Sequence, residues 1–423
     1  MTVATLAKPR IQQMVKILEN ILAHRHKNPT YASEELYYEL MVKYYRRIME
    51  AVEQERTIVG HTVMSPLEVF YGMGIVPMHL ESTSMMMAIL LGNYAEFFDA
   101  ARSFGLTPET CSAHRLLAAT VIQNSLPRPD FIVWTNQVCD NTSKSGDAIL
   151  DLYEIPGIFL DRPYRYTTRE VEYFTKELKR LVQFLEEQTG QKMDYDRLSE
   201  AVARSQRVTE LYREIAELRR NIPAPARNRC FLNSMVVEWL YAGTQEAVEY
   251  FELVRDEIKE RVDKGVGGIP EERFRILTLF LPPSYEWKLM DWMEQEYGAV
   301  SVMEPYCSWW AKGDMDPAKP LESIAEKSFY RSLVRQMHGP SEGIIEDAVQ
   351  AAIDYKADGS IYFAHIGCRQ ACALIRSMKD ALKDDVGIPM IALDCDIIDP
   401  SLSPGEEMRG KLEGFFEMLE DTK

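Results

Sequence analysis

A run of short apolar segments, used twice in the same order, restricts this chain more than any other feature. A helical segment ends at Gly74 and gives Ile75-Val-Pro-Met-His-Leu, closing on Glu81; another ends at Gly298 and gives Ala299-Val-Ser-Val-Met, closing on Glu304. The stretch from Pro129 to Cys139 parallels that from Asp358 to Cys368, and Ile155 to Asp161 parallels Gly387 to Asp394. Short continuous apolar runs alternating with helical segments mark parallel strands covered by helices. The predicted strands are Ile75–Leu80, Phe131–Asn136 and Ile155–Leu160, then Arg275–Leu281, Ala299–Glu304, Ser360–Ala364 and Pro389–Leu393.

The remaining segments read as helices. Apolar positions recur at helical spacing from Ile11 to Leu22 and again from Leu36 to Val52, with Asn28-Pro29-Thr30 between them and Ser33 as the expected second cap. A long polar stretch, Thr167 to Arg220, is also helical, and Asn221-Ile-Pro-Ala-Pro-Ala ends it. At 423 residues the chain exceeds one hydrophobic core. The prediction is an α/β protein with two Rossmann-like (flavodoxin-like) parallel-sheet domains: residues 1–60 form an N-terminal helical segment, 61–225 a first domain with long helices, and 226–423 a second domain.

A net charge of −17 argues against nucleic acid or an anionic membrane as partner, since both require a basic surface. The first ten residues have no signal-like apolar core, and the richest apolar run, Ser84 to Gly92, is about half of what a bilayer needs. These features predict a cytoplasmic location, where seven cysteines are not expected to form disulfides.

Two cysteines, Cys139 and Cys368, lie just past predicted strand ends, the edge where open parallel sheets place ligands. Cys111 follows Thr107-Pro-Glu-Thr110 at an expected helix start, where Thr107 or Thr110 could cap the helix and its dipole would favour a thiolate. Three converging thiolates suit zinc or an iron–sulfur cluster. No Cys-x-x-Cys pair is present, so on spacing alone buried structural cysteines are the reading ahead of a metal site. There is no P-loop, dinucleotide fingerprint or serine elbow, so ATP binding by this chain is not expected.

The flanking residues add a resemblance. Cys111-Ser-Ala-His-Arg, Cys139-Asp-Asn-Thr-Ser-Lys, Gly367-Cys368-Arg-Gln, and Gly387-Ile-Pro-Met-Ile-Ala-Leu-Asp-Cys-Asp continuing to Glu417 occur in the order seen in the 2-hydroxyacyl-CoA dehydratase family, which includes benzoyl-CoA reductase subunits. Ser65-Pro-Leu-Glu-Val-Phe-Tyr-Gly-Met-Gly-Ile-Val-Pro resembles its opening segment, so the likeness spans about residues 60 to 420.

The resemblance implies one [4Fe-4S] cluster per chain, held by Cys111, Cys139 and Cys368 with one iron lacking a protein thiolate. Cys307 is the rival ligand, Cys372 a core residue or cluster neighbour, and Cys230 and Cys395 are structural. It further implies a homologous second subunit, an ATP-hydrolysing iron–sulfur activator, and an acyl-CoA substrate that loses water by a one-electron route. Ring reduction of benzoyl-CoA is the alternative, and a zinc scaffold or a cluster-carrying electron-transfer protein is the non-catalytic one. His114, three residues after Cys111, is placed to donate to a sulfide or the substrate carbonyl, or else is a surface residue. Tyr306, Trp309 and Trp310 would line an acyl pocket, or pack as core. Arg162, Arg165 and Arg169 would meet coenzyme A phosphates, or lie solvated.

Overall fold

The computed structural model describes residues 4–307 and 313–422. Trp309 and Trp310 therefore lie outside the described residues. Among the described residues, eight strands form two four-stranded parallel sheets. The first holds β1 (Ile58–His61), β2 (Val76–His79), β3 (Phe131–Thr135) and β4 (Gly157–Leu160) in the order β2-β1-β3-β4. The second holds β5 (Phe274–Leu279), β6 (Ala299–Met303), β7 (Gly359–His365) and β8 (Met390–Cys395) in the order β6-β5-β7-β8. The two orders are the same, and both are of flavodoxin type. The three paired segments read from the sequence are β2 with β6, β3 with β7 and β4 with β8.

Every residue of β3, β5, β6 and β7 is buried, as expected of strands covered on both faces. The sequence reading missed β1, the counterpart of β5. It has only four residues and contains Gly60, where an added Cβ would meet Pro129 Cγ at 3.0 Å and Ile132 Cγ2 at 3.1 Å. The glycine is therefore a packing requirement that weakens the local strand signal.

The N-terminal helices span Ala4–Lys27 and Ala32–Glu53, and the long polar stretch divides into Thr168–Thr189 and Tyr195–Leu218. Ser33 does not cap the second helix: Tyr31 holds that position, and the Ser33 hydroxyl donates to Glu257 at 2.6 Å. The helix Pro320–Tyr330, between β6 and β7 in the chain, packs against the two long helices of the first series. Its Leu321, Ile324, Ala325 and Phe329 join the core on that side of β1 and β3. No described helix is long and apolar enough to cross a membrane.

Arg219 ties the first series to the second sheet. Its guanidinium donates to Glu304 at 2.7 and 2.8 Å and to the Ser301 carbonyl at 2.9 Å, with both charged side chains almost fully buried. Removing one partner of a buried pair strands the other charge. Arg219→Leu is expected to lower stability by about 3–5 kcal/mol, read as a lower urea midpoint; an unchanged midpoint would show that the pair contributes nothing.

Candidate metal centre

Cys111, Cys139 and Cys368 occupy one structural position three times. Each is the last residue before a helix, the helices being Ser112–Ile122, Asp140–Tyr153 and Arg369–Ala381. Cys139 and Cys368 follow β3 and β7, the equivalent strands of the two sheets. Neither Thr107 nor Thr110 caps the first helix, because Cys111 itself holds the cap position.

All three cysteines line one cavity of about 150 Å³, shared with His114, Tyr306, His365, Gly367, Glu81 and Asp396. The loop of Cys368 rests directly on that of Cys111. A Cβ at Gly367 would lie 2.6 Å from Cys111 Cα and 2.9 Å from its nitrogen, so only glycine permits this approach. The segment after β8 completes the junction. Asp396 Oδ1 accepts from the Ser112 hydroxyl, and Arg115 reaches Asp399 at 3.2 Å.

The expected lowering of the cysteine pKa by helix ends does not prevail in the metal-free chain. Burial pushes Cys139 up to about 11 and raises Cys111 and Cys368 as well, with neighbouring thiolates adding to the rise at Cys111 and Cys139. The backbone N–H groups of the first helical turns oppose this at each thiol, but they are outweighed. Three thiolates there thus need a cation to accompany them.

Two observations test which cation the donors fit. A tetrahedral zinc site at the usual Zn–S length holds its sulfurs about 3.8 Å apart. Among the described residues, only His26, Glu35 and Glu39 bring three ligand atoms within 4.8 Å of one another. The three thiols are thus not gathered as closely as a single tetrahedral ion would hold them.

The rival and spare cysteines lie elsewhere. Cys307 is buried, does not line the cavity, and has Glu304 and Arg219 as its charged neighbours. Cys395 is buried 3.4 Å from His365 Nδ1, whose Nε2 faces the Leu281 carbonyl at 2.7 Å. Cys372 is exposed, its thiol directed at the His365 carbonyl. Cys230 opens the helix Cys230–Tyr241 and does not line the cavity.

His114 is buried rather than on the surface. Burial pulls its pKa down to about 4, and Nδ1 lies 3.0 Å from the Ser145 hydroxyl. Tyr306 is half-buried with its ring 4.9 Å from that of Phe280. Arg162 corrects the coenzyme A expectation. It is buried over Phe329, 4.4 Å from the ring centre, and donates to the Ser328 and His338 carbonyls, while Arg165 and Arg169 are exposed.

Sequence reasoning passed over Glu81, His79, His61 and Asp396. The usable signal was position, since His61 ends β1, His79 ends β2 and Glu81 lies just beyond, all at the sheet edge that holds ligands. Glu81 is 6% exposed, and burial pushes its pKa up to about 7 against the opposing pull of the Glu81 and Val63 backbone N–H groups. A folded pKa above the unfolded value favours the protonated form, so this contribution is present below about 4.5 and lost as pH rises through about 7. Glu81→Gln is therefore expected to gain stability over the parent between pH 5 and 8, by up to about 3 kcal/mol. Denaturant midpoints across that range measure it, and parallel curves for the two proteins would refute the shift.

Comparison with known proteins agrees with this geometry. The chain is 23% identical over 383 residues to the (R)-phenyllactyl-CoA dehydratase alpha subunit of Clostridium sporogenes, covering 88% of this chain and 91% of that one. It is 25% identical to a benzoyl-CoA reductase subunit of Thauera aromatica, covering 70% and 72%. It is 24% identical to the (R)-2-hydroxyglutaryl-CoA dehydratase alpha subunit of Acidaminococcus fermentans, covering 70% and 62%. The family described as 2-hydroxyglutaryl-CoA dehydratase, D-component, matches residues 62–419, and the chain belongs to it.

Proposed function

We propose that this chain is a subunit of a 2-hydroxyacyl-CoA dehydratase, a lyase, in which Cys111, Cys139 and Cys368 hold one [4Fe-4S] cluster. The observation that carries the reading is the meeting of three helix-capping thiols, drawn from both sheets, at one cavity. Bound there, the cluster would supply a single electron and one iron position free of protein thiolate.

The chain's own residues prepare that chemistry. Three helix N-termini face the negative charge of the thiolates and stabilise it. The cavity wall is mostly apolar, with Met85, Val138, Phe280, Leu333 and Met337 available to an acyl chain and able to exclude water. His114, kept neutral by burial, offers a hydrogen bond to a thioester carbonyl without adding charge. Tyr306 also lines the cavity. With Arg162 committed inside the fold, Arg165 is the nearby exposed cation for coenzyme A phosphates.

The naming of the relatives as single components of larger enzymes, several of them alpha subunits, supports a homologous partner chain. The electron is proposed to come from a separate ATP-hydrolysing iron–sulfur activator. Ring reduction is the second reading, favoured by the match to the benzoyl-CoA reductase component.

Two measurements test the proposal. The anaerobic complex with activator is offered phenyllactyl-, 2-hydroxyglutaryl-, 2-hydroxyisocaproyl-, lactoyl- and benzoyl-CoA; turnover of a 2-hydroxyacyl thioester supports dehydration, and turnover of benzoyl-CoA alone replaces it with reduction. Iron should reach about four per chain. It should fall by most of that in Cys111→Ser, Cys139→Ser and Cys368→Ser, since a hydroxyl is a poor substitute for a soft thiolate. Cys230→Ser, Cys307→Ser and Cys395→Ser should keep it. Stoichiometric zinc in a colourless protein would overturn the cluster, and loss of iron in Cys307→Ser with retention in Cys111→Ser would overturn the ligand set.

A further inference from the structure

A second cavity lies behind the first, and two histidines stand between them. His61 ends β1 and His79 ends β2, directly paired in the sheet register. His79 and Glu81 line the cysteine cavity, whereas His61 lines the second one with Gln137, Glu238, Lys327 and Ser328. Trp239 lines both and stacks on His79. Both histidines are 1% exposed, and their ring centres are 4.9 Å apart.

Their neighbours fix where the protons sit. His61 Nδ1 lies 3.2 Å from the Thr62 carbonyl, which can only accept, so Nδ1 carries the hydrogen and Nε2 is a bare acceptor. His79 Nδ1 accepts from the Ser82 N–H at 3.2 Å, so its hydrogen sits on Nε2. Burial keeps both rings neutral, lowering His61 to about 4 and, with His61 beside it, His79 well below the usual histidine value. Both Nε2 atoms and the Trp239 indole N–H are buried with no hydrogen-bond partner.

So many unsatisfied buried groups in one place call for a reason. Here they are complementary. His79 and Trp239 present donors, His61 presents an acceptor, and one water accepting the first two and donating to the third would satisfy all of them. On the other side of His79, Glu81 Oε2 is 3.3 Å from Nδ1, out of line for a hydrogen bond until the carboxyl turns.

We propose that Glu81, His79 and His61 form a proton path joining the cysteine cavity to the second cavity. Outward transfer balances as follows. Protonated Glu81 gives its proton to His79 Nδ1, whose lone pair first leaves the Ser82 N–H, and becomes a carboxylate; His79 releases the proton on Nε2 to the bridging water; the water gives one to His61 Nε2. His61 is left an imidazolium lining the second cavity and sheds the Nδ1 proton toward it once that N–H leaves the Thr62 carbonyl, and the reverse sequence reprotonates Glu81. The path rests on this wall alone, not on the dehydratase reading, and serves any reaction in the cavity that moves a proton.

The test follows the carboxyl proton itself and needs no substrate. In the anaerobically purified full-length protein, the infrared C=O band of protonated Glu81 is identified by its loss in Glu81→Gln. Its rate of shift after transfer into D2O reports proton exchange. His61→Phe and His79→Phe are each expected to slow that shift by about a hundredfold, the lower end of what a positioned proton carrier contributes. In His61→Ala, added imidazole should restore the rate, whereas pyrazole, of the same shape but far less basic, should not. The Ala variant carries the test if circular dichroism shows the Phe variants to be unfolded. A band exchanging as fast in the His61 variants as in the parent, equal rescue by both azoles, or no band lost in Glu81→Gln would overturn the path.

Discussion

The contact of Gly367 with the Cys111 backbone, braced by Asp396 on Ser112 and Arg115 on Asp399, holds the two sheets edge to edge. The brace is electrostatic and almost fully buried, so its charges are tolerable only together. Asp396 also accepts the backbone N–H groups of Ile398 and Asp399, which fixes the turn after β8 before the turn grips the other domain. Were this junction to open, Cys368 would part from Cys111 and Cys139, and no single cavity would contain all three thiols.

Within that frame, two physical terms compete at each cysteine. A helix N-terminus favours the thiolate, and removal from water disfavours it; in the metal-free chain, removal from water is the larger. The arrangement therefore resists charge until a cation arrives, so that loading must displace protons. The same desolvation leaves His114 neutral and Glu81 able to carry a proton near neutrality. One apolar cavity thus shifts its three cysteines, His114 and Glu81 in the same sense, toward the uncharged form.

The two sheets repeat one topology, yet they are not used alike. The first sheet's series supplies two of the three clustered cysteines and the histidine pair, the second supplies one cysteine and the closing acidic turn. The helix Pro320–Tyr330 crosses to cover the first sheet's core, and there its Lys327 meets Glu68 while Phe329 lies under Arg162. These crossings bind a duplicated fold into a single body, and they place Arg162 where solvent cannot reach it.

Much was legible from the chain itself. Buried parallel strands must be apolar throughout, so seven of eight could be read, and the three cysteines stood where strand ends and helix starts are written in local sequence. The eighth strand, β1, escaped because four residues containing a glycine carry no local signal; their pairing is fixed by Pro129, Ile132 and Leu80 packing against Gly60. Ser33, Thr107 and Thr110 looked like caps because capping propensity is local, but tertiary partners and the geometry of Cys111 decided otherwise. Arg162 looked like a phosphate ligand because the sequence shows charge without depth. The Glu81–His79–His61 wall was out of reach for the same reason: each residue is ordinary in its own segment, and only folding, by burying them together with both histidine Nε2 atoms unpaired, gives them protons to exchange.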